Sequence, residues 1–154
     1  MNNVIGNASL TLQAVADILY GVSSYYIWRQ LSGAAIGAQA RMSERLASQS
    51  IALLKYIADD PLLYDYFYRN KPLADEGREG SKVCCCAEMM ANFLEHVVLQ
   101  KQSLPRESRE AWMCYVREHY NNSRVVRDFV NEHKDCYADV FLRHVAIGEK
   151  IVCR

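Results

Sequence analysis

At 154 residues the chain is long enough for one ordinary domain, and with 51% of its residues hydrophobic it can bury a core. Eighteen basic side chains balance eighteen acidic ones, so no net field draws the protein toward nucleic acid or an anionic membrane. Plentiful aromatics and the lack of low-complexity tracts exclude a disordered chain.

No secretory signal with a basic start and a small-residue cleavage site is visible. The first sixty residues contain no proline, and from Ser9 to Asp59 the chain can run as helix almost without a break. Gly21, Gly33 and Gly37 are its weak points, each costing about 1 kcal/mol in an exposed helix interior. Such a helix would measure roughly 75 Å at 1.5 Å per residue. That is too long for a compact domain of this size, so part of it must project, cross a bilayer or pack against other chains.

The segment Ser9–Trp28, SLTLQAVADILYGVSSYYIW, has the length of a bilayer core and Asp17 as its only charge. Gln13, Asp17, Gly21 and Ser24 share one face, while Leu10, Leu12, Val15, Ile18, Leu19, Val22, Tyr25, Tyr26 and Ile27 occupy the others. Tyr25, Tyr26 and Trp28 gather at one end, as an interfacial aromatic belt would, and Arg29, Arg41 and Arg45 follow. If the segment spans, the positive-inside rule puts the C-terminal domain in the cytoplasm. Asp17 in lipid would be costly, so an oligomer would turn the polar face inward and line a pore with Gln13, Asp17, Gly21 and Ser24. The alternative is an amphipathic helix of a soluble bundle with Asp17 in water. Gly33 and Gly37 form a GxxxG pair beside Ala34 and Ala38, a face suited to close helix packing between protomers.

Ala47–Asp59 carries a stripe of Ile51, Leu54 and Ile57, and Pro61–Asn70 reads as a short aromatic helix. A charged loop, Lys71–Gly80, precedes the periodic helix Ser81–Gln102. Its stripe of Val83, Cys86, Ala87, Met90, Leu94, Val97 and Val98, broadened by Cys85, Met89 and Phe93, predicts a central helix buried on most sides. Pro105 opens a helix over Arg106–Tyr120 that buries Trp112, Tyr115 and Val116. Ser123 is a good N-cap for Arg124–Lys134, with Val126, Phe129 and Val130 inward. A last helix, Tyr137–Ile147, ends at Gly148. No segment alternates with period two and no internal repeat is evident, so the fold is all-α.

The six cysteines, Cys84, Cys85, Cys86, Cys114, Cys136 and Cys153, match neither a disulfide scaffold nor a zinc finger. Three in a row on a helix point about 100° apart and cannot converge on one metal. They read as reduced, buried, cytosolic thiols.

Two constellations could carry chemistry. Arg127 and His133 form R-x5-H, within the loose R-x4–6-H pattern of HEPN ribonucleases, which use such a pair on the phosphate and 2′-hydroxyl of RNA. The competing expectation is a core-edge histidine continuing the Val126/Phe129/Val130 stripe. Glu88, Asn92, Glu95 and His96 lie along the central helix and suggest a buried polar network; the Glu-x-x-His signature of a di-iron site is missing. Arginines at 106, 109, 117, 124 and 127 alternate with acids, which argues for solvated ion-pair faces over a nucleic-acid surface. No cofactor or metal is expected, and the chain carries no Gly-rich phosphate loop or nucleophile elbow.

From about Ile57 onward the chain resembles a widespread bacterial family of unknown function. The matching stretches are YFYRNKPL (Tyr66–Leu73), AEMMANFLEHVVLQ (Ala87–Gln100), Leu104-Pro105, and Trp112 with Tyr115-Val116-Arg117. The resemblance implies one N-terminal membrane helix and a small helical domain, and implies no activity. The Cys84–Cys86 run departs from the pattern, as does Asn92 where an aspartate is often found. In layout the chain is also similar to the small pore-forming accessory protein of type VI-B CRISPR systems, a membrane helix before a divergent HEPN-like domain.

The expected organisation is therefore a membrane or oligomerisation helix over 1–31, a helical connector over 32–60 and a helical bundle, HEPN-like in the second resemblance, over 61–154. The leading functional expectation is a membrane-associated homo-oligomer in contact with lipid, pore-forming and active in antiviral defence by that resemblance. A soluble helical scaffold or adaptor and a HEPN-like RNA nuclease are the alternatives.

Overall fold

The computed structural model describes residues 2–73 and 77–148, and side-chain surroundings for 17–73 and 77–146. Among these residues every regular element is helical: α1 (Asn2–Ala58), α2 (Pro61–Tyr68), α3 (Arg78–Leu99), α4 (Arg106–Asn122), α5 (Arg124–Glu132) and α6 (Asp139–Gly148), with 3-10 turns at Lys101–Ser103 and Lys134–Cys136. The chain divides into two units, Met1–Gln39 and Ala40–Arg154. The second unit takes in the last turns of α1 as well as α2–α6.

Within the second unit α3 is the central helix, packing on α4, α5 and α6, while α2 lies against α4 and α5. The stripe read from the sequence is its buried face: Val83, Cys86, Ala87, Met90, Leu94, Val97 and Val98 are all excluded from water. The broader burial expected of α3 does not occur, because Cys85 and Met89 face outward and only Phe93 joins the core. The core face of α1 also differs from expectation. Leu46, Ser50, Leu53 and Ile57 are buried, Leu54 is half-buried and Ile51 is exposed. Leu46, Leu53 and Ile57 define this face, and Ser50 shares it with its hydroxyl satisfied by that of Tyr115 at 2.9 Å.

Helix boundaries follow local chemistry. Asp60 caps α2 by accepting the Leu62 N–H at 3.0 Å, and Pro61 occupies the first helical position, where a missing N–H costs nothing. Lys82 donates to the other Asp60 oxygen at 2.6 Å, tying the α1–α2 corner to the first turns of α3. Asn70 ends the α2 corner at a positive φ of 56°, a conformation asparagine tolerates better than most residues. Ser123 separates α4 from α5 in a single residue. Its Oγ accepts the Val126 N–H at 3.4 Å and donates to the Tyr66 carbonyl at 3.0 Å.

The cysteines correct the expectation of six buried thiols. Cys86 is buried and Cys84 half-buried, but Cys85 and Cys136 are exposed. Cys114 is disulfide-bonded, a pairing that depends on tertiary proximity and leaves no signature in sequence spacing. Cys153 lies outside the described residues. Burial raises the thiol pKa of Cys84 and Cys86, so both stay protonated and unreactive near neutral pH.

Candidate functional site

The most unusual surface belongs to α1. Between Ile18 and Ile36 every large apolar side chain is exposed: Ile18, Leu19, Tyr20, Val22, Tyr25, Tyr26, Ile27, Trp28, Leu31 and Ile36, ranging from 49% for Val22 to 79% for Tyr20. At 3.6 residues per turn, Ile18, Leu19, Val22, Tyr25, Tyr26 and Ile27 cover about 200° of the helix circumference. Asp17, Gly21 and Ser24 are exposed together on the remaining strip. Gln13 continues that strip by its spacing, but its side chain falls outside the described residues. Trp28 falls on the same strip and closes it at one end. Tyr25 packs edge-on against Tyr26 and tilted against Trp28, with ring centroids 6.1 and 6.3 Å apart.

Gly33 is exposed and Gly37 half-buried. A Cβ added at Gly21 or Gly33 would meet nothing within 4 Å, so no contact among the described residues requires either glycine. Among the described residues no helix is long and apolar enough to cross a membrane. In Ser9–Trp28, Gln13, Asp17, Ser23 and Ser24 dilute the apolar side chains.

The R-x5-H pair serves two separate local structures. The Arg127 guanidinium donates to the Tyr120 carbonyl at 3.1 Å, to the Asn121 carbonyl and to Asn70 Oδ1 at 2.6 Å, clamping the end of α4 to the α2 corner. His133 is exposed at the end of α5; its ring stacks on Phe129 at 4.3 Å and its Nδ1 lies 2.9 Å from the Phe129 carbonyl. It therefore caps α5 instead of lining the core edge.

The four polar residues of α3 do not form the buried network anticipated, because two of them meet water and the other two turn to different neighbours. Glu88 and Asn92 are exposed. Glu95 accepts the Ala138 N–H at 2.7 Å, anchoring the chain just ahead of α6. Its charge and that of Glu88, behind the larger effect of burial, push the Tyr137 phenol up to about 12. His96 faces α1 instead, and its Nε2 is shielded from water without a hydrogen-bond partner. Among the described residues no cluster of three His, Cys, Asp or Glu side chains could hold a metal ion.

Sequence reasoning missed an aromatic ladder. Tyr64 stacks on Tyr68 at 5.0 Å, Tyr68 meets His119 edge-on, and His119 stacks on Tyr115 at 3.8 Å. Tyr115 in turn contacts Trp112 and Phe93. Burial lowers the His119 pKa and keeps the ring neutral. The i, i+4 spacings of Tyr64/Tyr68 and Tyr115/His119 were visible signals for parts of this ladder.

Comparison with protein-family models, curated proteins and solved structures finds no match to this chain. The functional reading therefore rests on the molecule's own surfaces.

Proposed function

We propose that the protein is a self-assembling helical scaffold in which copies of α1 pack side by side through their apolar faces. The observation that carries this reading is the run of ten exposed large apolar residues from Ile18 to Ile36 on a helix short of the apolarity of a membrane span. Fully burying a side chain of that kind contributes about 1.5–3 kcal/mol, and contiguous apolar patches of this extent mark interaction surfaces. One neighbour covers a stripe about 100° wide, so a face twice that width calls for at least two neighbouring helices and hence three or more chains. In this arrangement Asp17, Gly21 and Ser24 face water.

A second reading has one observation in its favour. Tyr25, Tyr26 and Trp28 cluster immediately before Arg29, the arrangement of an interfacial anchor. In a membrane-associated oligomer the same strip would turn inward as a pore lining and the apolar face would meet lipid, with 61–154 in the cytoplasm.

Sedimentation of the full chain without detergent tests both. A discrete particle of three or more 17.6 kDa chains is expected. Leu19→Lys with Tyr26→Lys, at the centre of the apolar face, reduces it to the monomer. A wild-type chain that is monomeric without detergent overturns the scaffold; flotation with liposomes that the double substitution abolishes supports the membrane reading.

A further inference from the structure

A groove of about 630 Å³ opens between the last turns of α1 and the middle of α3. Its volume lies in the range of small-molecule sites. Ala52, Leu53 and Tyr56 form one wall and Met89 and Phe93 the other. Leu53 and Phe93 are buried and make the floor, while Tyr56 and Met89 are exposed and make the rim. The floor is held in place from behind, since Phe93 is wedged edge-on against both Trp112 and Tyr115, with centroids 6.4 and 6.2 Å away. The rim is adaptable, because an unbranched thioether repacks easily.

Three polar side chains enter this apolar space: Gln49, Asn92 and His96. His96 lines the groove with its Nε2 shielded from water, so the exposed Gln49 and Asn92 amides are the polar groups a ligand reaches. Among the described residues no carboxylate, lysine or arginine lines the groove. The cation near its rim, Lys82, lies 5.8 Å from the Tyr56 ring, and its charge is met by Asp60 at 2.6 Å. A charged ligand would thus be desolvated here without a counter-ion.

We infer that this groove binds a neutral amphiphile: an apolar body laid on Leu53, Met89 and Phe93, and one uncharged hydrogen-bonding head, a hydroxyl or carbonyl, held by the Gln49 and Asn92 amides. The site is separate from the Ile18–Ile36 surface, so it stands or falls independently of the assembly proposed above.

The test uses the full chain and the neutral fluorophore N-phenyl-1-naphthylamine, displaced by decan-1-ol or by decanoate at pH 7.5. Saturable binding of one fluorophore per chain is expected, with decan-1-ol displacing it far better than decanoate. Ala52→Trp, an exposed position that fills the groove, and Met89→Glu, which charges its rim, each weaken the fluorophore about tenfold or more, the loss expected when roughly one side chain's apolar contact is removed. Asn92→Leu weakens decan-1-ol roughly three- to tenfold, the share of one hydrogen bond. Circular dichroism identifies any variant that fails to fold, and Ala52→Trp and Met89→Glu back each other in that event. Unchanged fluorophore binding in folded Ala52→Trp or Met89→Glu overturns the site. Equal displacement by decanoate overturns the neutral ligand class.

Discussion

The hydroxyls of Ser50 and Tyr115 lie 2.9 Å apart, joining α1 to α4 across 65 residues of sequence. Ser50 is 6% exposed, so neither hydroxyl can readily exchange this partner for water. Removing either side leaves the other shielded and unsatisfied. Ser50→Ala and Tyr115→Phe should each cost about 1 kcal/mol, and the double substitution little more than either alone, because the second change removes a group already orphaned. Thermal melts of the four proteins measure this coupling; strictly additive losses would count against the bond.

Arg127 and Ser123 make a second prediction. Ser123 is buried and serves both as cap of α5 and as donor to the Tyr66 carbonyl. Ser123→Ala should cost about 1–2 kcal/mol. Arg127 holds two carbonyls at the end of α4 and the Asn70 side chain. Arg127→Ala should cost roughly 2 kcal/mol, and Arg127→Lys should recover little, since an ammonium lacks the planar fork that reaches several acceptors at once. Chemical denaturation reads both; full stability in Arg127→Lys would contradict the clamp.

Acid should destabilise the fold through two histidines. Burial lowers the pKa of His119 and of His144, the latter helped by the charges of Arg117 and Lys101. The unfolded chain takes up protons from about pH 6.5 downward, while the folded chain resists. Stability is therefore full above pH 6.5 and declines as pH falls toward the folded values. His119→Phe keeps an aromatic ring for the stack on Tyr115 and removes one titrating group, so its stability should fall less steeply between pH 6.5 and 5. An unchanged slope would exclude His119 as a contributor.

At the alkaline end Tyr137 acts in the opposite direction. Its phenol is pushed up to about 12, so the unfolded chain loses this proton first, from about pH 10. The stabilisation is complete below pH 10 and is lost as pH rises through 12. Absorbance at the phenolate band should show late-ionising tyrosine in the native protein, reduced in Tyr137→Phe and shifted to lower pH in Glu95→Gln.

Gly33 offers a direct probe of assembly. None of the described residues would touch a Cβ there, so Gly33→Ala should raise helix content, by about 1 kcal/mol of local stability. If neighbouring helices approach at this glycine, as the proposed scaffold requires, Gly33→Leu should lower the particle mass seen in sedimentation. A variant with higher helicity and unchanged mass would place the contact elsewhere on α1.

The sequence by itself determined the helical class, the order of the helices and the inner face of α3. These follow from local facts: a 3.6-residue apolar period, Pro61 and Pro105 at helix starts, Ser123 as a cap and Gly148 at the end of α6. It also showed the polar strip of Asp17, Gly21 and Ser24, because the residues of one helix face are fixed by spacing alone. Only the tertiary structure decided how polar groups are used. Ser50 on the inner face, Arg127 on two carbonyls and Glu95 at the start of α6 each depend on a partner from another element. Hydrogen bonds and packing between helices join residues far apart in the chain, and periodicity within one helix carries no information about which neighbour its side chains will meet.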